Sequence, residues 1–415
     1  MIFLVALILV TGFANAVIDN RYVPIYPRVY RRTPEKPSVG FIAPLFMTAH
    51  NARSCNGEDI PIQGLYREYN LANVNRAMLT VGLNNPLMLT EWYNFSELIF
   101  DNTSHLQAQG FSFGYEQSLG CHFSIGGYGA LLATSSTLLF RPSQKLNRNL
   151  SIFEGDNRFI GRELGVERAF YNVDSVLCLN AGEVTEIGLS DIELYVRYGI
   201  TRDYWLRCRR VDFGIRLGMI TATGKERNIL QPASLPFGGN GHVGLFIQQD
   251  AEFELKQDII IGWWVQLLGR FTKVQPQRFI VNGEPFNYGV LAGRADVKPG
   301  LTLGVSPYIA MLDIQDGFGA RLMYTYVNHF QDTINSLGIT CPTTTVQPDI
   351  AAMRAASGWT NEYGTVELFY DMTATPKHRP YAPRFFAQLW APIRIFGAQN
   401  VVRTWQHASQ RYQAA

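Results

Sequence analysis

The sequence is poor in charge, lacks paired cysteines and, past its first sixteen residues, has no long apolar run. Charged residues make up 17% of the 415, against about 25% in an ordinary globular domain. The 36 basic and 34 acidic residues nearly cancel, to +2, so no global field would recruit nucleic acid. Five cysteines, Cys55, Cys121, Cys178, Cys208 and Cys341, form no C-x-x-C pair and have no histidine at ligand spacing. Two readings stay open for them: isolated buried or loop thiols, or one or two disulfides between loops with a thiol left over. The seven histidines never fall at i, i+4 and there is no Asp-rich calcium loop, so neither a metal nor a cofactor is expected.

The missing apolar run matters because of what precedes it. Met1 to Ala16 is a greasy leader whose core, Ile2 to Val10, is too short to span a membrane as a helix and whose end, Ala14-Asn15-Ala16, offers small residues to a signal peptidase. It departs from pattern in having no Lys or Arg before the apolar stretch. Residues 1–16 read as a signal peptide, so the chain is exported and not anchored by a helix. Val17 to Pro37 carries Pro24, Pro27, Pro34 and Pro37 among Arg21, Arg28, Arg31, Arg32 and Lys36, which reads as an extended periplasmic arm.

What is present from Val39 onward is alternation, rich in glycine and in aromatics (13%). Phe111, Phe113 and Tyr115 alternate with Ser112, Gly114 and Glu116. Ile192, Leu194, Val196 and Tyr198 oppose Glu193, Tyr195 and Arg197. Phe213, Ile215, Leu217 and Met219 oppose Asp212 and Arg216, and Ala251, Phe253 and Leu255 oppose Glu252 and Glu254. Ile259 to Leu267 opposes Gly262, Gln266 and Arg270; further on Arg294 with Asp296, Arg321, Glu367 with Asp371, and Arg394 take polar faces. Period two means strands with one oily and one wet side, and runs of about ten residues suit a tilted membrane strand. A bilayer admits only helices or closed barrels.

The expectation is an all-β, transmembrane, antiparallel up-and-down barrel over residues 38–415, with about fourteen strands and twelve to sixteen acceptable. Weaker segments, including Ala77 to Gly82, Tyr288 to Val297 and Arg384 to Ile395, are counted among those strands. Gln117 to Phe140 has no charge over 24 residues, but its glycines and hydroxyls make a poor helix and suit two adjacent strands. Long outer loops are expected near 51–75, 143–182 and 331–358. Trp205, Trp263, Trp264, Trp359, Trp390 and Trp405 are expected in aromatic girdles.

Motifs that resemble chemistry fit poorly. Gly110-Phe111-Ser112-Phe113-Gly114 matches the nucleophile elbow but lies inside an alternating strand with no helix after it. Gly239 to Gly244 matches G-x-G-x-x-G but precedes a strand, and Gly224-Lys225-Glu226 lacks the Ser or Thr of a phosphate loop. No enzyme is expected. The polar-face charges are the candidate site: Glu116, Glu193, Arg197, Asp212, Arg216, Glu252, Glu254, Arg270, Arg294, Asp296, Arg321, Glu367, Asp371 and Arg394. An Arg facing lipid costs about 2 to 4 kcal/mol near the midplane, so these side chains should line the lumen. With both signs present, weak charge selectivity is expected. Sealing by ion pairing across the barrel is the alternative.

Gly188-Leu189-Ser190-Asp191, the strand Ile192 to Tyr198, and Val211 to Glu226 resemble the porin-like outer-membrane barrels linked to phenol meta-pathway transporters. Those barrels carry a Gly-Leu-Gly-Asp opening, an alternating strand ending in a basic-Tyr pair, and a strand closing on Pro-Thr-Gly. Ser190 and Ala222 depart from that pattern. The resemblance implies a bacterial outer-membrane protein passing small or hydrophobic solutes, with outer-membrane lipid as its partner and a homo-oligomer left open. The rival reading is a non-conducting structural or adhesion protein acting through its outer loops.

Overall fold

The computed structural model describes residues 38–83, 97–120, 122–143, 168, 170–180, 182–256, 258–339, 346–371 and 384–411. The leader and the arm, residues 1–37, fall outside them, as do most of 143–182, Cys121, Cys341 and Tyr412. Twelve strands make the ring: β1 (Ser38–Ala49), β2 (Ile99–Ser118), β3 (Phe123–Pro142), β4 in two pieces (Val184–Leu189 and Glu193–Asp203), β5 (Arg210–Ile220) and β6 (Gly244–Lys256). After these come β7 (Ile259–Arg270), β8 (Thr302–Gln315), β9 (Phe318–His329), β10 (Trp359–Asp371), β11 (Arg384–Pro392) and β12 (Trp405–Arg411).

Each strand pairs antiparallel with its neighbours in sequence, and β12 returns to β1 through Leu45↔Ala408 and Met47↔Gln406. Tyr69–Asn70 adds a two-residue stub against β2. Closure pairs the ring on both sides of every strand, as a barrel in lipid requires, while the Val184–Leu189 piece of β4 extends beyond it against β3 alone. The uncharged stretch, expected as two adjacent strands, is the tip of β2, a short turn and the single long strand β3, which pairs with β2 from Phe100↔Pro142 to Ser118↔Ser124. Among the described residues no helix is long and apolar enough to cross a membrane; here the strands do so.

Alternation sets the two surfaces. Leu217 is 60% exposed while Arg216 beside it is 4% exposed, and Ile187 (70%) follows buried Glu186. Outward apolar residues such as Phe111, Leu131, Leu194, Leu322 and Leu368 form the lipid-facing band. Of the tryptophans, Trp205, Trp263 and Trp405 are exposed, whereas Trp264, Trp359 and Trp390 are buried on the inner side. The girdle expectation therefore fails for those three: Trp264 follows outward Trp263 by one residue, which turns it inward.

The two rims differ. Connections 119–122, 204–209, 257–258 and 316–317 are short, the last an Asp316-Gly317 turn with φ of 48° and 89°. The opposite rim carries long connections, and sequence analysis misses two of them, 221–243 and 271–301. Ala77 to Gly82 is not a strand: it belongs to helix α1 (Leu71–Thr80), whose start is capped by Asn70 accepting from the Ala72 amide. Tyr288 to Val297 is not a barrel strand either. Leu291–Lys298 pairs with Lys273–Phe279 and Thr333–Ile339 in a small sheet apart from the ring. For Leu291–Lys298 the period is right, but a period of two cannot say which sheet a strand joins.

These connections share one hydrophobic core. Leu71, Val74 and Met78 of α1 pack with Phe170, Val173, Tyr288, Leu291 and, from helix α2 (Ile350–Ser357), Met353. Phe140 and Phe170 lie 4.0 Å apart between ring centroids. A buried Arg278 ties the loops together by donating to the carbonyls of Ile229, Gly289 and Leu177.

Candidate functional site

The inner face is divided between a polar and an apolar side. On the polar side, Arg197 of β4 donates to Asp250 of β6 through Nε (3.2 Å) and Nη2 (2.6 Å), and to Asp212 of β5 (2.6 Å). Arg216 approaches Asp250 at 3.6 Å and Glu116 at 4.0 Å, and its guanidinium lies over the Tyr195 ring. Glu116 also accepts from Ser124 and from the Tyr195 hydroxyl, each at 2.8 Å. A buried charge is tolerated only with such partners.

The belt continues around the wall. Glu252 accepts from Tyr308 at 2.6 Å, Arg321 stands over that same ring and pairs with Glu367 at 3.4 Å, and Gln388 donates to Glu367. Glu254 pairs with Arg209 of the short-turn rim at 3.4 Å. Glu193 sits on the inward register of β4. Two inward glycines make room: a Cβ on Gly126 would lie 2.6 Å from the Tyr195 ring, and one on Gly262 would lie 2.4 Å from the Tyr308 hydroxyl.

Three of the charges named from sequence stand elsewhere. Arg294 and Asp296 lie on the small loop sheet, and Arg394 is an exposed residue past the end of β11, beside Gly57. Asp371 ends β10, and its side chain is outside the described residues. Asp250 is missed, although counting back by two from Glu254 and Glu252 reaches it. Ser112 donates to the Ala43 carbonyl at 3.3 Å from mid-strand, with no elbow around it. Of the cysteines, Cys55 and Cys178 are exposed, Cys208 is buried, and all three are free thiols.

The apolar side is built by Ala43, Leu45 and Met47 of β1, Ala108, Ala130 and Leu132, facing Tyr363, Phe386 and Trp390. Phe237, from the connection 221–243, is 2% exposed within this cluster. That connection is inserted into the ring and held there: Lys225 pairs with Glu186 (2.9 Å), and Ser234 donates to the same carboxylate.

The main anchor is Asp191. Between Leu189 and Glu193 β4 takes four steps while β3 takes three, from Leu131 to Tyr128. The extra residue is a bulge, which swaps the inward set from even to odd numbers. It also turns Asp191 inward. One carboxylate oxygen accepts from the Gly224 amide (3.0 Å); the other accepts from the Gly239 amide (2.7 Å) and from Arg270 Nη1 (2.9 Å). The glycine-rich stretch at Gly239 is thus a tight turn over a carboxylate, with Asn240 and Gly241 at positive φ.

No protein-family model matches the chain, and no curated protein matches it by sequence. Among solved structures, an outer membrane channel from Pseudomonas putida F1 aligns over 94% of this chain and 100% of its own, with a TM-score of 0.52 and 9% identity. The Pseudomonas putida toluene transporter TodX aligns over 97% and 98%, and the β domain of the Bordetella autotransporter BrkA over 90% and 99%. Their TM-scores, 0.35 and 0.34 at 10% and 12% identity, carry no argument. The first likeness is one of fold, and with the closed ring it identifies the chain as a β-barrel of the outer-membrane type.

Proposed function

We propose that the protein resides in a bacterial outer membrane and gives small or hydrophobic solutes passive passage through its lumen. The supporting observation is that a connection, 221–243, occupies the space inside the ring through discrete polar anchors. An inserted segment held by a few such contacts has a second position available to it; wall side chains packed to fill a narrow barrel do not. The two-sided interior suits solutes with an apolar body and one polar edge, since Leu45, Leu132 and Trp390 face a belt of amides, hydroxyls and paired charges. The resemblance of residues 188–198 and 211–226 to phenol meta-pathway-type transporters points the same way. Within this reading residues 1–16 are the signal peptide, 17–37 a periplasmic arm, and the long connections face outward. The charge belt, Glu116, Glu193, Arg197, Asp212, Arg216, Glu252, Glu254, Arg321 and Glu367, lines the lumen with both signs.

The rival reading is a sealed barrel acting through its loops. It draws on the same interior, because every charge of the belt is buried or paired. Planar-bilayer recordings of the refolded protein separate the two. Discrete conductance steps with weak preference between K⁺ and Cl⁻ support passage; silence from protein whose folded barrel persists on a gel supports the sealed barrel.

A further inference from the structure

The turn between β4 and β5 differs from the other short turns in both its charge and its greasiness. Residues 204–209 read Tyr-Trp-Leu-Arg-Cys-Arg, and with Arg202 and Arg210 from the strand ends they gather four arginines against Asp203 and, from β6, Glu254. The turns 119–122, 257–258 and 316–317 contain no Lys or Arg. Tyr204 is 84% exposed, Leu206 60% and Trp205 52%. Turns usually place glycine or a small polar residue at positive φ, whereas here Tyr204 (55°), Leu206 (52°) and Arg207 (60°) adopt it. The base of the turn holds that backbone in place. The Tyr204 amide donates to the Arg209 carbonyl and the Cys208 amide to the Trp205 carbonyl, both at 2.9 Å, and the Arg209 amide donates to the Glu254 carbonyl at 2.8 Å.

The wall beneath the turn indicates what covers it. The outward register of β4 runs Leu194, Val196, Tyr198 and Ile200, and ends on Arg202. The first three are exposed to lipid, so the cations begin where the apolar band stops, at the level of a headgroup. Arg202 and Arg207 are both exposed, and neither joins an ion pair among the described residues. A soluble anion would satisfy these arginines but leave three large apolar side chains in water. An uncharged lipid would cover the apolar side chains and leave the arginines unmatched. A lipid with an anionic headgroup answers both.

We propose that the 202–210 turn binds an anionic phospholipid of the phosphatidylglycerol class, its phosphate held by Arg202 and Arg207 and its acyl chains lying against Tyr204, Trp205 and Leu206. The outer-membrane reading above supplies the leaflet, the periplasmic one; the site itself does not depend on conduction.

The test uses full-length protein in lipid nanodiscs, which offer both rims the same lipid and are indifferent to orientation and to passage of solutes. Phosphatidylcholine discs carry a minor fraction of brominated phosphatidylglycerol or of brominated phosphatidylcholine, and the Trp205 signal is the difference between wild type and Trp205→Phe. Phosphatidylglycerol should quench Trp205 with a relative affinity about fivefold higher. About 1 M NaCl, which needs no variant, should bring that preference close to one, and so should Arg202→Gln combined with Arg207→Gln. Equal quenching by the two lipids, or a preference that survives the salt or the double substitution, would overturn the assignment. Displacement of the lipid by inorganic phosphate at matched ionic strength would overturn it too, in favour of a site for soluble phosphate. Silence in planar bilayers alongside an intact lipid preference would remove the channel reading and leave this site standing.

Discussion

Arg270, at the end of β7, reaches to Asp191 in the bulge of β4 and donates to it at 2.9 Å, while two amides of the inserted connection bind the same carboxylate. Wall and insert are thereby fastened at one group. Asp191→Ala should free Gly224 and Gly239 and leave Arg270 buried without its partner, a local cost of about 3 to 5 kcal/mol. The expected outcome is faster protease cleavage within 224–240 and larger conductance steps than wild type. Unchanged cleavage would mean that Lys225 and Ser234 hold the insert unaided.

Arg197 stands between two carboxylates, Asp212 and Asp250. Arg197→Met should therefore destabilise the barrel by about 3 to 5 kcal/mol, since it takes the nearest cation from two half-buried carboxylates and leaves Arg216 at 3.6 Å from Asp250. Adding Asp212→Asn and Asp250→Asn should recover most of the loss. Urea unfolding followed by tryptophan fluorescence reads both effects, and a triple variant no more stable than the single would show that the cost lies in lost packing.

Gly262 leaves room for Tyr308. Gly262→Val should cost about 1 to 3 kcal/mol through displacement of that ring and of its bond to Glu252. Tyr308→Ala in the same chain should make the substitution tolerable, and failure of that rescue would place the strain in the backbone.

Outside the membrane, burial in the loop core pushes the Asp174 carboxyl up to about 7, with the Tyr288 hydroxyl opposing the shift. The folded pKa exceeds the unfolded value of 3.8, so the folded state holds more protons between these two values. The loop core should then be most stable below pH about 4 and lose stability as pH rises towards about 7. Protection factors of the amides of residues 170–177, with intrinsic base catalysis of exchange divided out, should fall over that window, and Asp174→Asn should flatten the profile.

Much of the wall was legible because lipid outside and polar groups inside impose one period over ten or more residues. The faces assigned to Glu116, Arg197, Arg216, Glu252 and Arg321 follow from that period alone. It failed where local structure changes the count or the partner. Asp191 is hidden because a one-residue bulge breaks the alternation around it. Arg294 and Asp296 alternate properly, but in a sheet of the loops. Ala77 to Gly82 is too short for its period to separate strand from helix, and the Asn70 cap was the available signal. The insertion of 221–243 has no period at all, being fixed by hydrogen bonds between residues distant in sequence.

The arrangement of oily and wet faces is tested most directly by nitroxides placed one at a time in bilayer-reconstituted protein whose five native cysteines have been replaced. Labels at Leu131, Leu217 and Leu322 should collide freely with oxygen dissolved in lipid and little with a water-soluble nickel chelate. Labels at Ser306, Thr325 and Thr365 should be shielded from the oxygen in the lipid. Equal oxygen access for the two sets, or greater access for the second, would contradict a closed ring with its apolar side to the membrane.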